Sequence, residues 1–288
     1  MKYVVMMIDI KHSKQLTDLE RSDYQMKLYD IIKYVNLVFS QSLKEKLTFS
    51  GGDSVQGLFK NVKSAVSCFY FIKYAYYPYE IRCGIGYGLI NEHIVANKEK
   101  YKLNDVNSNF FDGDSYHLAL NALNACKKYE YEVLIKSNDL NSDLVINQLI
   151  HSSTILEVMM SSKQRDIFDI FNLLSPINPH DELYSLFVSD CLKKNLTEYQ
   201  LINNELLTSE INQIINNAEM KIDLINKEDL LFIEPFGKFL NEFVAKLIGV
   251  TRENIRQMVE KGKYNEIRKT QFIVISSIDK VYVEEIKC

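Results

Sequence analysis

Two aspartates stand where a carboxylate could meet a cation. Asp9 ends the apolar run of residues 3–8 and leads into the polar stretch Ile10-Lys11-His12-Ser13. Asp53 lies within Ser50-Gly51-Gly52-Asp53-Ser54-Val55-Gln56-Gly57-Leu58-Phe59, behind the β-prone Leu47-Thr48-Phe49. Paired glycines supply the positive φ of a tight hairpin turn, and an acid at the tip projects off the sheet. Taken singly, each has a plain reading: Asp9 caps a turn, and Asp53 is a solvated hairpin residue. Taken together, they make one argument. If the first strand lies beside the hairpin, the two carboxylates face each other. Such a pair repels unless a cation sits between its members. Hard oxygen ligands suit Mg²⁺ or Mn²⁺, and these ions suit a nucleoside triphosphate. Paired ions would activate a 3′-hydroxyl and stabilise a leaving pyrophosphate.

The elements that must hold these residues follow from periodicity. Residues 3–8 read as a buried central strand, whose end is where open sheets place chemistry. Tyr24, Leu28, Ile31, Ile32, Val35 and Phe39 predict a helix over 16–43, with Asp18 as N-cap. After the hairpin, residues 62–76 form a second amphipathic helix, broken by Pro78. Residues 80–90 alternate, with Gly84, Gly86 and Gly88 making one flat, open face. Glycine so placed predicts close approach of another backbone or of a ligand. The spacing is not the dinucleotide fingerprint. A polar excursion over 91–110 precedes the turn Asp112-Gly113-Asp114, a helix over 115–128 and a strand over 129–135. The order β-α-β-β-α-β-α-β is that of an α+β, ferredoxin-like βαββαβ palm, a mainly antiparallel sheet with helices on one face.

Composition narrows the function classes. At 47% hydrophobic and 25% charged over 288 residues, the chain can bury a sizeable core. A net charge of -4 offers no global basic field, so any nucleic-acid contact needs a local patch. The cysteines (Cys68, Cys83, Cys126, Cys191, Cys288) lack C-x-x-C spacing, which argues against disulfides or zinc and for reduced thiols in a cytoplasmic protein. The histidines show no ligand spacing either. The N-terminal apolar run is too short for a signal peptide, and no stretch nears the ~18 apolar residues of a membrane span.

The second half of the chain reads as helical. Helices are predicted over 139–160 and from Ser161 to about 174, then an Asn-rich helical insertion over 180–235 without evident chemistry. Phe239, Phe243, Val244, Leu247 and Ile248 mark another helix. Gly249 ends it, and Thr251 caps the next. Ala245, Gly249 and Ile255 fit a helix-turn-helix: a small residue at the crossing, a glycine in the turn, a branched residue behind. Thr251, Arg252, Asn254, Arg256 and Gln257 would then face double-stranded DNA, with Lys261, Lys263, Arg268 and Lys269 on phosphates. The alternative is a helical hairpin for protein contacts or dimerisation. Residues 272–275 and 281–286 predict a terminal β-hairpin. The expected domains are a palm over 1–137, a helical linker or insertion over 138–235, and the helix-turn-helix region over 236–288.

Met7-Ile8-Asp9-Ile10-Lys11-His12-Ser13-Lys14-Gln15-Leu16 resembles the first metal motif of class III nucleotide cyclases. Gly51-Gly52-Asp53-Ser54-Val55-Gln56-Gly57-Leu58-Phe59 resembles their second, and the diguanylate-cyclase hairpin. Taken in order, and with Asp112-Gly113-Asp114-Ser115-Tyr116-His117-Leu118-Ala119-Leu120-Asn121-Ala122-Leu123, these motifs are most similar to the SatD family, a cyclase-like palm followed by a helix-turn-helix. The resemblance implies a metal set of Asp9, Asp53 and Ile10 for Mg²⁺ or Mn²⁺. It implies nucleotide contacts from Ser13, Gly51, Gly52, Ser54, His117 and Asn121, and it raises a homodimer, since class III cyclases share the site between palms. No catalytic residue is assigned. Ser54 stands where many relatives have Glu, and Leu120 where the family helix has Arg. His117 and Asn121 take the places of the cyclase Asn and Arg. Loss of a transition-state arginine typically costs several kcal/mol, which favours a nucleotide-sensing regulator over an active nucleotidyl cyclase or nucleotidyltransferase. A basic residue reaching the site from elsewhere, such as Arg82 or Lys127, would favour the enzyme.

Overall fold

The computed structural model describes residues 2–91, 112–175, 187–188, 191 and 235–282. All but the first residue of the predicted excursion at 91–110, nearly all of the insertion at 180–235 and residues 283–286 of the last predicted strand lie outside the described residues. The chain divides into two compact units, residues 1–151 with 277–288 and residues 152–276.

The first unit contains β1 (Lys2–Ile10), α1 (Asp18–Val38), β2 (Leu43–Gly51), β3 (Ser54–Phe59) and α2 (Val62–Tyr76). These are followed by β4 (Ile81–Leu89), α3 (Asp114–Tyr129), β5 (Val133–Lys136) and the start of α4 (Leu140–Val158). The sheet order is β2-β3-β1-β4-β5. β1 is antiparallel to both neighbours, and only the β4–β5 pair is parallel. This is the βαββαβ palm the element order predicts, extended by α3 and β5. The N-cap of α1 is Thr17 rather than Asp18: its hydroxyl accepts from the Glu20 amide while the Glu20 carboxylate accepts from the Thr17 amide. Asp18 falls instead in the first turn.

One expectation is overturned. Helices cover both faces of the sheet, and the face read as open is occupied. Even-numbered Val4, Met6, Ile8 and Ile10 of β1 are buried on one side, where α1 and α2 lie. Odd-numbered Tyr3, Val5 and Met7 pack on the other with Leu58, Ile90, Tyr116 and Ala119. That second face receives α3 directly on the glycine row. A Cβ at Gly84 would sit 2.3 Å from the Ala119 carbonyl, and one at Gly86 2.1 Å from the Ser115 carbonyl. The close approach predicted at these glycines is therefore to a helix backbone.

After the palm, Asp143 gathers hydrogen bonds from the Ser137 amide (2.7 Å), the Ser137 hydroxyl (2.8 Å) and the Tyr282 hydroxyl (2.9 Å). The Ser142 hydroxyl donates to the Val281 carbonyl at 3.2 Å. Burial raises the Tyr282 pKa, and the neighbouring Asp143 charge adds to the rise.

The second unit takes in α5 (Ser162–Leu174), α6 (Lys238–Ile248), α7 (Arg252–Lys261) and most of α8 (Tyr264–Val281). Phe168, Phe171, Phe236 and Tyr264 form its aromatic centre, with ring centroids 5.0–6.2 Å apart. Residues 272–275, predicted as a strand, lie inside α8. The helical spacing Tyr264, Ile267, Arg268, Gln271, Phe272, Ile275, Ile278 explains this, because every one of these residues is buried. Two polar residues on that stripe obscure its period in an apolar count.

Candidate functional site

The β2–β3 turn is a two-residue loop, Gly52-Asp53, closed by the Gly51–Ser54 pair. Gly52 has φ +59 and Asp53 does not share it, the pattern of a turn with glycine at its first central position. In register, Ser54 lies opposite Asp9 on β1, and Arg82 lies opposite Asp9 on β4. The tip is thus carried to the C-terminal end of β1, which holds Asp9 and the buried Ile10.

Side-chain alternation puts Asp9 on the α3 face. There its Oδ2 meets the Lys127 ammonium from the last turn of α3 at 3.0 Å. Next to it, Arg82 donates Nη2 to Glu130 at 2.7 Å, and Lys11 meets Glu80 at 3.0 Å. Arg82 holds the Glu130 carboxyl below its ordinary range by hydrogen bond and charge. The buried Arg82 Nε has no hydrogen-bond partner among the described residues. Asp53 faces different company. Burial raises the hydroxyl pKa of Tyr76 on α2, and the charges of Tyr79, Tyr24 and Asp53 add to it. The structure therefore brings Asp53 and Asp9 to one end of the sheet, with Asp9 held to Lys127.

The other nucleotide-contact residues divide. Gly51, Gly52 and Ser54 lie in the tip. Ser13 opens a short 3₁₀ turn after β1, and its carbonyl accepts from Arg21 Nη2 at 2.9 Å. His117 and Asn121 are exposed on α3, ten and six residues before Lys127. At ~1.5 Å per residue, they sit roughly 15 and 9 Å back along the helix from Lys127. One palm does not bring them to Asp9. His117 lies instead 3.8 Å from Asp112.

The donor chemistry is compatible with one hard divalent ion. Among the described residues no group of three or more His, Cys, Asp or Glu gathers around a point, so a caged, all-protein site is not formed. Mg²⁺ sites commonly need only one or two carboxylates, with waters and phosphate oxygens completing the shell. Asp9 offers one carboxylate at this end of the sheet, and Asp53 carries another in the hairpin turn. The Lys127 ammonium, a stand-in cation on Asp9, marks where positive charge is favoured.

The predicted DNA-facing residues lie at the α6–α7 junction. Gly249, at φ +71, closes α6 with the Val250 amide on the Ala245 carbonyl (3.0 Å) and its own amide on Lys246 (3.4 Å). The Thr251 hydroxyl accepts from the Asn254 amide at 3.2 Å. The arginines of α7 are exposed and already engaged. Arg252 binds Glu242 at 2.9 Å, and Arg256 binds Glu253 at 2.6 Å and also Glu260. The Arg256 and Gln257 hydrogen bonds lower the Glu253 carboxyl to about 2. Arg268, expected on a phosphate, is buried. Its guanidinium donates to Asn172 (3.0 Å), to Gln271 (3.1 Å) and to the Ser175 carbonyl. Cys68, Cys83, Cys126 and Cys191 are free and buried, and among the described residues no helix is long and apolar enough to cross a membrane.

The model of the SatD family matches residues 3–227 of the chain. No curated protein matches it. Among solved structures, a bacterial light-regulated adenylyl cyclase is similar at a TM-score of 0.33 and 13% identity, over 46% of this chain and 74% of that one. The palm assignment rests on the strand order and register described above.

Proposed function

We propose, from the premise that the chain belongs to the SatD family, that its palm takes up a nucleoside triphosphate with a divalent cation and that the protein acts as a nucleotide-sensing regulator. One observation supports the reading: Ser54, the residue after the Gly52-Asp53 turn, pairs with Asp9 of β1, so the turn and Asp9 belong to the same end of the sheet. In this reading Asp9, Asp53 and the Ile10 carbonyl hold Mg²⁺ or Mn²⁺. The ion would neutralise triphosphate charge and polarise its phosphorus–oxygen bonds. Gly51 and Gly52 leave the tip without side chains, so phosphates can approach its backbone. Ser54 offers a hydroxyl on the same side as Asp9.

The test is retention of each labelled triphosphate with Mn²⁺ by the purified protein, following bound ligand and product together. Asp53→Ala and Asp9→Ala are each expected to weaken retention by about tenfold or more, the scale set by loss of groups that hold a metal site. Retention without product supports the regulator. Absence of retention in the native protein would remove the palm site.

A second reading, an active nucleotidyl cyclase or nucleotidyltransferase, is favoured by the Lys127 contact with Asp9 and by the unpartnered Arg82 Nε. In that reading Lys127 and Arg82 would leave Asp9 and Glu130 to stand in for the arginine that Leu120 replaces. Product formation in the same assay selects this reading.

For the output, α6 and α7 are proposed as a DNA-reading pair. Arg252 and Arg256 must trade glutamate partners for phosphates or bases, so binding is expected to be weak and salt-dependent. Arg256→Ala should weaken duplex binding and reduce the salt slope by about 1. Fluorescence anisotropy over a salt series measures both, and an unchanged slope would place the duplex elsewhere.

A further inference from the structure

We infer that Lys127 is an exchangeable counter-ion of Asp9, displaced when a divalent cation enters, so that it sets the metal concentration at which the palm loads. The inference rests on the reading above that the palm takes up such a cation.

The two partners differ in how firmly they are held. The Asp9 side chain is 13% exposed and sits inside the sheet, locked by pairing on both flanks. A carboxylate so far out of water is costly without a cation beside it. Arg82, its β4 neighbour, is committed to Glu130, and Lys11 to Glu80. The ammonium on Asp9 is therefore that of Lys127. That side chain is 43% exposed, on a flexible stem at the end of a helix. It can swing into water, or over the carbonyl end of α3, which itself favours a cation. Asp9 cannot leave. An anchored acid with a loosely held base is the arrangement of an exchange site.

Exclusion follows from charge. An ammonium within hydrogen-bonding distance of Oδ2 stands in the space a metal ion needs, and the two cations repel. The metal must therefore work against Lys127 for Asp9. The chain would then be satisfied in both states: with Lys127 on Asp9 when metal is scarce, and with metal there when it is plentiful. Lys127 would at the same time become free to reach a phosphate of the incoming nucleotide.

The experiment measures Mn²⁺ binding to the full-length protein by the electron paramagnetic resonance signal of the free ion, without nucleotide. It compares the native chain with Lys127→Gln, Lys127→Arg, Asp9→Asn and Asp53→Ala, each checked for native circular dichroism. Lys127→Gln is expected to bind Mn²⁺ about fivefold tighter, the factor by which a partly exposed pair holds its acid. Lys127→Arg should bind no tighter than the native chain, because the charge stays. Asp9→Asn and Asp53→Ala should lose the site. If the native chain binds Mn²⁺ through Asp9 and Lys127→Gln binds equally or more weakly, the exchange is overturned while the metal reading stands. If no variant shows Mn²⁺ binding that depends on Asp9 or Asp53, both fall.

Discussion

Gly86→Ala should cost the palm about 3 kcal/mol or more, out of the roughly 5–15 kcal/mol that holds a domain together. The added carbon would stand 2.1 Å from the Ser115 carbonyl and 2.4 Å from the Ala119 amide. Both are helix backbone, and neither can turn aside as a side chain would. Relief requires α3 to lift from the sheet, exposing Val5, Leu58, Tyr116 and Ala119, which now pack together. The strand supplies its own control. At Gly88 the nearest atoms stand 3.1 Å away, and one is the flexible tip of Leu118, so Gly88→Ala should cost only about 1 kcal/mol. Urea denaturation of both variants measures the difference. A Gly86→Ala midpoint as close to native as that of Gly88→Ala would mean that α3 is not seated as described. The site depends on this seat as well, since α3 brings Lys127 to Asp9. Gly86→Ala should therefore alter metal uptake in whatever fraction still folds.

Arg268→Ala is expected to destabilise the helical unit by about 3–5 kcal/mol. The side chain is 1% exposed and lies against the rings of Phe236 and Phe272, at 5.9 and 5.1 Å. Truncation leaves a cavity between those rings and strands the Asn172 side-chain oxygen and the Ser175 carbonyl without a donor. Two acids of the same unit, Glu157 and Asp169, share Arg165 at 3.0 Å each, so removing a buried positive charge would also leave the unit's interior more negative. Arg268→Lys should recover only part of the loss, because an ammonium cannot reproduce a planar fork with several fixed donors. Thermal unfolding of the two variants reads this directly. Native-like melting of Arg268→Ala together with weakened duplex binding would restore this arginine to the surface.

The parts of the molecule legible in the sequence are those where one residue type does one local job. Gly51 and Gly52 announced a hairpin because few other residues make that turn. Gly249 and Thr251 marked a helix end and a helix start because their conformational and capping roles are nearly private to them. The glycine row of β4 announced a close approach, but not what approaches, since a ligand and a helix leave the same mark. Lys127 and Arg82 could be named as candidates without being placed. Lys127 meets Asp9 only because α3 runs alongside β1, a relation between residues far apart in the chain. Arg268 misled for a related reason: charge is read as surface unless its buried partners, Asn172 and Ser175, are known to surround it. The same arginine, with Gln271, interrupted the apolar count that would have extended α8 through Phe272 and Ile275.

The clasp around Asp143 has a consequence for how the protein is made. Its hydroxyl donor, Tyr282, comes 139 residues later in the chain, with the whole helical unit between them. A ribosome delivers the palm's strands first, then the helices of the other unit, and only then the turn that reaches Asp143. The nascent palm must therefore wait, with that carboxylate bonded to Ser137 alone, until α8 has left the exit tunnel. During that interval the helical unit behaves as a guest inserted into an unfinished host. The order of synthesis and the order of completion are thus reversed for the two units: the unit begun first is the one finished last.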